Sequence, residues 1–488
     1  MSTRSYLYAT ALTTLLAATP ELRAQVESKL APGASATPPA KPSYKNIAGS
    51  VDHPTVLNVT PTPTANPAFR YRLLTLSADR KPGNAAPVYL RVFWSDKAAE
   101  VNAAINKAFD GLSAPAAQFP IDDARKLINE MRFKLEQLKF GSERELCDWG
   151  YTLREQAEDS VAIMLPDAQQ ARVMLRLLCI KAYVDVLDHK YDDALASIRV
   201  GFDFSRHVGS GPFLINGLVG IFCFFEMTTH ALEPLIAAPN APNLYWALTA
   251  LPRPLIPFRD QTELERRLPE RMFPELVSAA QPHTPAEWTS LLERLHNRMT
   301  RVAATYEPDV AVPPLDQFNA ELLPAARQFA QRSHLTPVSD AHLLMLYIAD
   351  HVATTWDELL KTTYLPMDQW GDLAKTLEQR AATMKTSPLR LFDAMSATTF
   401  NATRNRAVLR ADRRIAALRV VEALRAHAAA TGKLPATLDE VKVVPLPDDP
   451  ATAKPFVYKL ENGAATLLGT SRHESDPGLG YIITLRPL

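Results

Sequence analysis

Apolar residues recur at helical spacing through most of the middle of this chain. In the stretch IDDARKLINEMRFKLEQLKF they include Ile121, Leu127, Met131, Leu135 and Leu138, which are three or four residues apart where they lie closest. This spacing lines one face of a helix. Prolines and glycines divide the rest of the region into helices of ordinary length. The pattern therefore predicts an array of packed helices over residues 113–395.

One stretch of that array is apolar on every side. FLINGLVGIFCFF (213–225) ends at Glu226 and is about 13 residues long, which is shorter than a membrane-spanning helix needs to be. An all-apolar helix of this length is typical of the buried centre of a helical protein. Gly217 and Gly220 would allow a neighbouring helix to approach closely.

Residues 44–112 show a mixed pattern. FRYRL (69–73) alternates apolar and basic residues, and VYLRVFW (88–94) is rich in strand-forming residues, so both are predicted to be strands. DRKPGN (79–84) between them has the composition of a turn. From Ala99 onward the spacing becomes helical. A small mixed α/β segment is expected here.

A strongly helical pattern returns in AVLRADRRIAALRVVEALRAHAAA (407–430). Its apolar face is formed by Val408, Ala411, Ile415, Leu418, Val421 and Leu424. The arginines expected to lie largely outside that face are Arg410, Arg413, Arg414 and Arg419. Gly432 stands where the C-terminal cap of the helix is expected.

Strand patterns follow this helix. FVYKL and ATLLG flank Glu461-Asn462-Gly463, a hairpin turn in which Asn-Gly tolerates positive φ, and GYIITLRPL can supply a third strand. Residues 396–488 are thus predicted to be an α+β unit, in which a long helix packs on a three-stranded antiparallel sheet. The expected fold class is mainly α: a multi-helix array of helical hairpins, a small mixed N-terminal segment and this C-terminal unit.

The first 24 residues have the layout of a secretory signal peptide. One arginine precedes an uncharged, mostly apolar stretch, Tyr6 to Ala18, and a small residue, Ala24, precedes Gln25. The alternative is an ordinary N-terminal helix. The interpretation predicts an exported protein, periplasmic or secreted, cleaved between Ala24 and Gln25 and without stable membrane insertion afterwards. Residues 25–43 are rich in Pro, Ala and Ser and are predicted to be a disordered linker.

Charge and cysteine content narrow the possible functions. Lys plus Arg equals Asp plus Glu at 53 each, so the chain as a whole has no electrostatic signature of nucleic-acid or anionic-membrane binding. Export would permit disulfides, but Cys147, Cys179 and Cys223 are scattered and include no Cys-x-x-Cys pair. We interpret them as small buried residues, with a single disulfide as the alternative.

Part of the helical region resembles a tetratricopeptide unit. In HKYDDALASIRVGF (189–202), Tyr191 and Ala194 match the motif, and Ala182 fills the small position of the preceding helix. Arg206 stands where the motif has proline, and no second copy follows at the 34-residue period of that family. The resemblance implies a helical hairpin and does not imply a repeat array.

The C-terminal 80 or so residues resemble the periplasmic domain of type II secretion pseudopilins. The matching residues are Gly432, Leu434, Pro435, Leu438, Asp449, Pro450, Lys454, Pro455, Phe456 and Tyr458. Pseudopilins begin with a cleaved basic leader and an apolar anchoring helix, whereas the helix here follows residue 400 and carries several arginines. The resemblance therefore implies a fold and does not imply pilus assembly. The whole chain also resembles large exported bacterial proteins with a helical body, a likeness that brings no activity with it.

Two clusters contain side chains that can bind metal ions. Some pseudopilins bind calcium near the C-terminus, but HESDPG (473–478) supplies only one Asp and one Glu, too few for a hard-cation site. The second cluster lies within nine residues and contains His334, Asp340 and His342, whose imidazole and carboxylate groups can be zinc ligands. The alternative, which we favour, is that Ser339 or Asp340 caps a helix and the histidines lie at the surface. His351 is too far along that helix to share one ion with His342.

A third cluster is RDQTELERRLPER (259–271). Glu263 with Arg267, and Arg266 with Glu270, are four residues apart, which suits salt bridges on a helix surface. Glu263 and Glu265 could instead be imagined as a catalytic acid and base, but residues two apart point away from each other on a helix. A solvated helix face is the favoured interpretation.

No zinc-protease helix, nucleophile elbow, phosphate-binding loop or Cys/His zinc spacing occurs in the chain. We therefore assign no catalytic, cofactor-binding or metal-binding residue and no cofactor. The leading hypothesis is an exported, non-enzymatic interaction or scaffold protein with a protein partner at the cell envelope, and more specifically a secretion or pilus-like assembly. The alternative is an exported hydrolase with a carboxylate- or histidine-based site in a helical groove.

Overall fold

The computed structural model describes residues 49–94, 97–151, 166–306, 310–365, 387–393, 401–470 and 477–486. The predicted signal peptide, the linker and most of the HESDPG segment lie outside these residues. The chain forms two compact units, and the larger contains the described residues up to 258 together with those from 406 onward. The smaller is formed by residues 259–405. This grouping differs from the sequence-based boundaries at 112 and 395, because the C-terminal residues join those before 258.

The protein is mainly helical, as the sequence predicts. The larger unit contains α1 Ala86–Phe93, α2 Ala98–Asp110, α3 Ile121–Glu130, α4 Arg132–Ser142, α5 Pro166–Leu187, α6 Tyr191–Gly209, α7 Leu214–Met227, α8 Glu233–Ala237 and α9 Tyr245–Thr249. The smaller contains α10 Arg259–Arg266, α11 Leu268–Met272, α12 Pro274–Ser278, α13 Pro285–Tyr306, α14 Leu315–Arg332 and α15 Asp340–Leu360. A long helix, α16 Asn401–Thr431, continues into the larger unit. The strands are β1 Thr55–Val59, β2 Lys81–Asn84, β3 Arg144–Leu146, β4 Val457–Glu461, β5 Ala464–Gly469 and β6 Leu479–Leu485.

The sheet has four strands in the order β1-β6-β5-β4, not the predicted three. β4, β5 and β6 are antiparallel neighbours, and the turn between β4 and β5 has φ of 50° at Asn462 and 79° at Gly463. The additional strand, β1, pairs in parallel with β6, with Leu57 opposite Ile483. The sheet is therefore mixed, and its edge strand comes from the opposite end of the sequence.

The strand predictions in the N-terminal segment are wrong. Residues 69–73 are irregular, and residues 88–94 belong to helix α1 and its C-terminal cap. Tertiary packing outweighs the strand propensity of this stretch. Its buried residues follow helical spacing: Ala86, Tyr89, Val92 and Phe93. The predicted turn at 79–84 contains the short strand β2, which pairs in parallel with β3.

Helices α5, α6 and α7 form the packed centre of the larger unit. α5 and α6 are joined by three residues, with His189 at φ 59°, and pack against each other as a helical hairpin. A Cβ atom on Gly220 of α7 would lie 2.6 Å from the backbone oxygen of Ser205, so this glycine does allow α6 to approach closely. The stretch Leu214–Ala237 is long and apolar enough to cross a membrane, but 67% of its apolar window is buried within the protein.

Helix α16 is buried on nearly all sides from Ala407 to Ala428, which corrects the prediction for its arginines. Arg413 has 1% of its side chain exposed, and its Nε donates to Asp449 Oδ1 at 2.9 Å. Arg419 is also buried, and its Nε donates to Thr249 Oγ1 at 2.9 Å. The periodicity predicts that these arginines lie outside the apolar face of the helix. Other parts of the larger unit pack against its polar sides, so the arginines are buried and donate to hydrogen-bond acceptors there.

Candidate functional site

A groove of about 560 Å³ lies in the larger unit. One wall is the α3–α4 pair, lined by Arg125, Ile128, Asn129, Arg132, Leu135, Glu136 and Lys139. The other wall is the α5–α6 hairpin, lined by Leu178, Lys181, Val184, Asp185, Asp188, Lys190, Asp193, Ala196, Ser197 and Val200. The wall residues of α6, from Asp193 to Val200, span eight residues of helix, so the groove is roughly 12 Å long.

Apolar side chains from both walls line the groove along its length. α3 and α4 contribute Ile128 and Leu135, and the hairpin contributes Leu178, Val184 and Val200. The wall residues of α3 and α4 follow helical spacing, because both helices turn the same side to the hairpin. The groove is thus an apolar channel with charged side chains among its lining, a form that suits a folded or extended protein segment.

The charges of the groove are unevenly divided between its walls. The α3–α4 wall has three basic and one acidic side chain, whereas the hairpin wall has two basic and three acidic side chains. Arg125 joins the walls at one end, where its Nη2 lies 2.6 Å from Asp188 Oδ1. Lys190 Nζ lies 3.3 Å from the other oxygen of Asp188. A segment bound in the groove would therefore meet a basic side and an acidic side.

Two groove carboxylates have pKa values that differ from that of an exposed aspartate. The hydrogen bond from Arg125 is the largest cause that lowers the pKa of Asp188. Burial raises the pKa of Asp185, although its hydrogen bond to Lys181 opposes this shift. Because each carboxylate has a cationic partner, these groups are arranged as ion pairs and not as a free acid and base.

Replacing Arg125 with alanine is expected to raise the pKa of Asp188 toward its ordinary value, because the main donor to its carboxylate is lost. Stability conferred by the depressed pKa of Asp188 is present above the unfolded pKa near 3.8 and is lost as pH falls through the folded pKa. The measurement is the pH titration of the Asp188 carboxyl carbon by NMR. Arg132→Ala, in the same wall and bonded only weakly to Glu136 at 3.8 Å, is the matched control and should leave that titration unchanged.

The histidines and carboxylate considered for zinc do not converge. Ser339 caps α15 and accepts a hydrogen bond from the backbone N–H of His342, which confirms the predicted cap. His342 itself is half-buried and does not lie at the surface as predicted. The ring of His342 stacks on Trp288 at 4.3 Å, and His334 and Asp340 are exposed. His351 lies farther along α15, where its Nε2 is 3.1 Å from Asp393 Oδ1. In the described ranges, no three His, Cys, Asp or Glu side chains are placed to hold a metal ion.

The salt bridges predicted for 259–271 are replaced by others. α10 ends at Arg266, and Pro269 lies near the start of the next helix, so Glu263 and Arg267 do not share one helix face. Arg266 instead donates to both oxygens of Asp357, at 2.7 and 3.1 Å. Arg267 lies 2.9 Å from Glu270. The charges remain a partly exposed helical surface of the smaller unit.

The three cysteines are free thiols. Cys179 and Cys223 are fully buried, and Cys147 is partly exposed. Burial is the main cause that raises the pKa of all three, which keeps them protonated and poor nucleophiles at neutral pH.

A buried polar cluster on α6 was missed by sequence reasoning. Arg80 lies 2.5 Å from Asp203, and the hydroxyl of Tyr89 is 2.8 Å from His207 Nδ1. Burial lowers the pKa of His207 to about 3, so the ring is neutral at physiological pH. The cluster holds residues 75–89 against α6, and burial raises the pKa of its carboxylate, Asp203. No sequence signal pointed to it, because its members are far apart in the chain.

Comparison with known proteins gave no relative: no protein-family model, curated protein or solved structure matches the chain.

Proposed function

We propose that this protein is an exported, non-enzymatic binding protein that holds an amphipathic segment of a partner protein in the groove between α3–α4 and the α5–α6 hairpin. The observation that carries the proposal is the groove itself: an apolar channel roughly 12 Å long between two walls of unequal charge. Such channels bind protein segments through apolar anchors, and peripheral charges fix orientation.

The chemistry of the walls describes the segment. Its apolar side chains would fill the channel near Leu135, Leu178 and Val200. Its acidic side chains would face the basic α3–α4 wall, and its basic side chains would face the acidic hairpin wall. A short amphipathic helix with apolar residues three or four apart and opposite charges on its two flanks satisfies these conditions.

The signal-peptide pattern supports the extracytoplasmic part of the proposal, and the tetratricopeptide-like hairpin supports segment binding. The pseudopilin resemblance favours a partner in a secretion or pilus-like assembly at the cell envelope. The hydrolase alternative receives no comparable support, because Asp185 and Asp188 of the groove are ion-paired with Lys181 and Arg125.

The experiment is a peptide-display selection on the chain from Gln25, with the Ser197→Trp variant as counter-selection. Ser197 lines the groove, so an indole ring at this position should occupy the channel. Gln328→Trp places the same side chain on an exposed position of α14 and is the matched control. We expect enrichment of amphipathic segments that bind the wild type and the Gln328→Trp variant alike, and that bind Ser197→Trp at least tenfold more weakly. Segments that bind all three proteins equally would refute the groove as the site.

A further inference from the structure

Asp412 of α16 occupies an apolar niche that its charge does not suit. The niche is lined by Val408 and Ala411 of the same helix, by Ile221 and Phe224 of α7, and by Pro254, Leu255 and Ile256. It has no room for a water molecule. The Asp412 side chain is half-buried, and its Oδ1 atom is buried with no hydrogen-bond partner among the described residues. A carboxylate oxygen that is buried without a partner is costly when the group is ionised, so this position favours the neutral acid.

The niche lies where the chain leaves the larger unit and returns to it. Pro254–Ile256 ends two residues before Phe258, the last residue before the smaller unit. Val408–Asp412 follows Arg406, where the chain re-enters the larger unit. Packing in the niche therefore joins the outgoing and the returning segments within the larger unit.

Charged groups on the surrounding elements are engaged elsewhere. Neither α7 nor 254–256 contributes a charged or titratable side chain to the lining of the niche. Arg413 and Arg414 bind Asp449 and Glu233. The charge of Glu226 of α7 contributes to the raised pKa of the Cys179 and Cys223 thiols. Arg253 is exposed, and Arg410 has an interaction of its own. Burial alone raises the pKa of Asp412 to about 7.

We propose that the Asp412 niche is a pH-responsive joint, closed when the carboxyl group is protonated and opened by water when it is ionised. Protonated Asp412 allows 254–256 to pack on α16. The ionised carboxylate draws water to Oδ1 and separates the two segments locally. For a carboxyl group whose folded pKa is raised, relative stability is greatest at low pH and is lost as pH rises from the unfolded pKa toward the folded one, here from about 4 to about 7.

Hydrogen exchange of peptides covering 254–258 and 407–412 tests this joint at pH 5.5 and 8.5. Each rate is corrected for the intrinsic pH dependence of exchange. We expect protection in the wild type to fall about tenfold or more between the two pH values, because the opened state ionises with an ordinary pKa. The Asp412→Asn side chain is nearly isosteric and uncharged, so protection of these peptides in the variant should be the same at pH 5.5 and pH 8.5. Asp439→Asn, at an exposed carboxylate, should behave as the wild type.

Equal protection of wild type and Asp412→Asn at pH 8.5 would overturn the proposal. If the Asn variant does not fold, the pH range over which protection of the wild type falls decides the question. A fall that continues up to about pH 7 supports a closed niche around a carboxyl group with a raised pKa. Unchanged protection between pH 5.5 and 8.5 would show that the carboxyl group of Asp412 has an ordinary pKa in the folded protein and would overturn the proposal.

Discussion

Replacement of Arg425 with methionine is expected to lower the free energy of unfolding of the larger unit by about 3–5 kcal/mol, the loss typical of breaking a buried ion pair. The side chains of Arg425 and Glu422 are both 0% exposed, and Arg425 Nη1 lies 2.9 Å from each oxygen of Glu422. Its remaining donors bind Thr60 O, Thr62 Oγ1, Ala241 O and Pro242 O at 2.7–3.2 Å. The variant leaves a buried carboxylate and several carbonyl groups without their donor.

The measurement is urea-induced unfolding, monitored by hydrogen exchange in peptides of the larger unit. Arg132→Met is the control, since Arg132 is 78% exposed and its pair with Glu136 contributes at most about 1 kcal/mol. Burial raises the pKa of Glu422, and Arg425 opposes that shift, so the variant should raise it further. The loss of unfolding free energy in Arg425→Met should therefore be smaller at acidic pH, where Glu422 is protonated. A deficit no larger than that of Arg132→Met would contradict this account of the core.

Glu233→Gln is expected to lower the same free energy by about 3 kcal/mol. Glu233 is buried, and its Oε1 accepts hydrogen bonds from Arg414 Nε at 2.8 Å and from the hydroxyl of Tyr481 at 2.5 Å. This carboxylate therefore joins α8, α16 and β6. Burial lowers the pKa of Arg414, and Glu233 more than compensates and raises it. The substitution removes this compensation, but a guanidinium is not deprotonated in proteins, so Arg414 stays charged and loses its counter-ion.

Tyr481→Phe separates the charge from the hydrogen bond in this triad. It removes one donor to Glu233 and leaves the ion pair with Arg414 intact, so its deficit should be about 1–2 kcal/mol. Thermal and urea unfolding of both variants give the comparison. Equal deficits would show that the pair with Arg414 contributes nothing beyond an ordinary hydrogen bond.

Local patterns in the sequence predicted local structure well. The mainly helical class, the Asn462-Gly463 turn and the Ser339 cap each depend on neighbouring residues, and all are found in the structure. The apolar stretch around Gly217 and Gly220 was likewise predicted to be a buried helix, and it is one. These features are decided within one or two helical turns of chain.

Features that depend on distant partners were not predictable in the same way. Strand β1 pairs with β6 more than four hundred residues later, and no local pattern specifies that partner. The arginines of α16 were predicted to lie outside its apolar face, and their burial could not be foreseen because their acceptors, including Asp449 and Glu233, lie far away in the sequence. Helix α1 formed from strand-favouring residues because packing on α4 and α6 outweighed their propensity.

The groove shows both sides of this limit. Its hairpin wall was anticipated from the tetratricopeptide-like pattern at 189–202. The opposite wall was predicted as helix from Leu135 and its apolar neighbours, but nothing in the sequence showed that α3 and α4 leave a channel beside α5 and α6. A cavity arises from the spacing between elements, which periodicity within each element does not determine.

Site-specific photo-crosslinking in the native cells tests segment binding most directly. A photoreactive residue at Glu136 lies in the groove, and the same residue at Gln328 lies on an exposed face of α14. We predict that the groove position crosslinks one defined amphipathic segment of an extracytoplasmic protein and that Ser197→Trp abolishes this product. The Gln328 position should give no such product. Crosslinks at Glu136 that are absent, or that persist unchanged with Ser197→Trp, would contradict the assignment of the groove as the binding site.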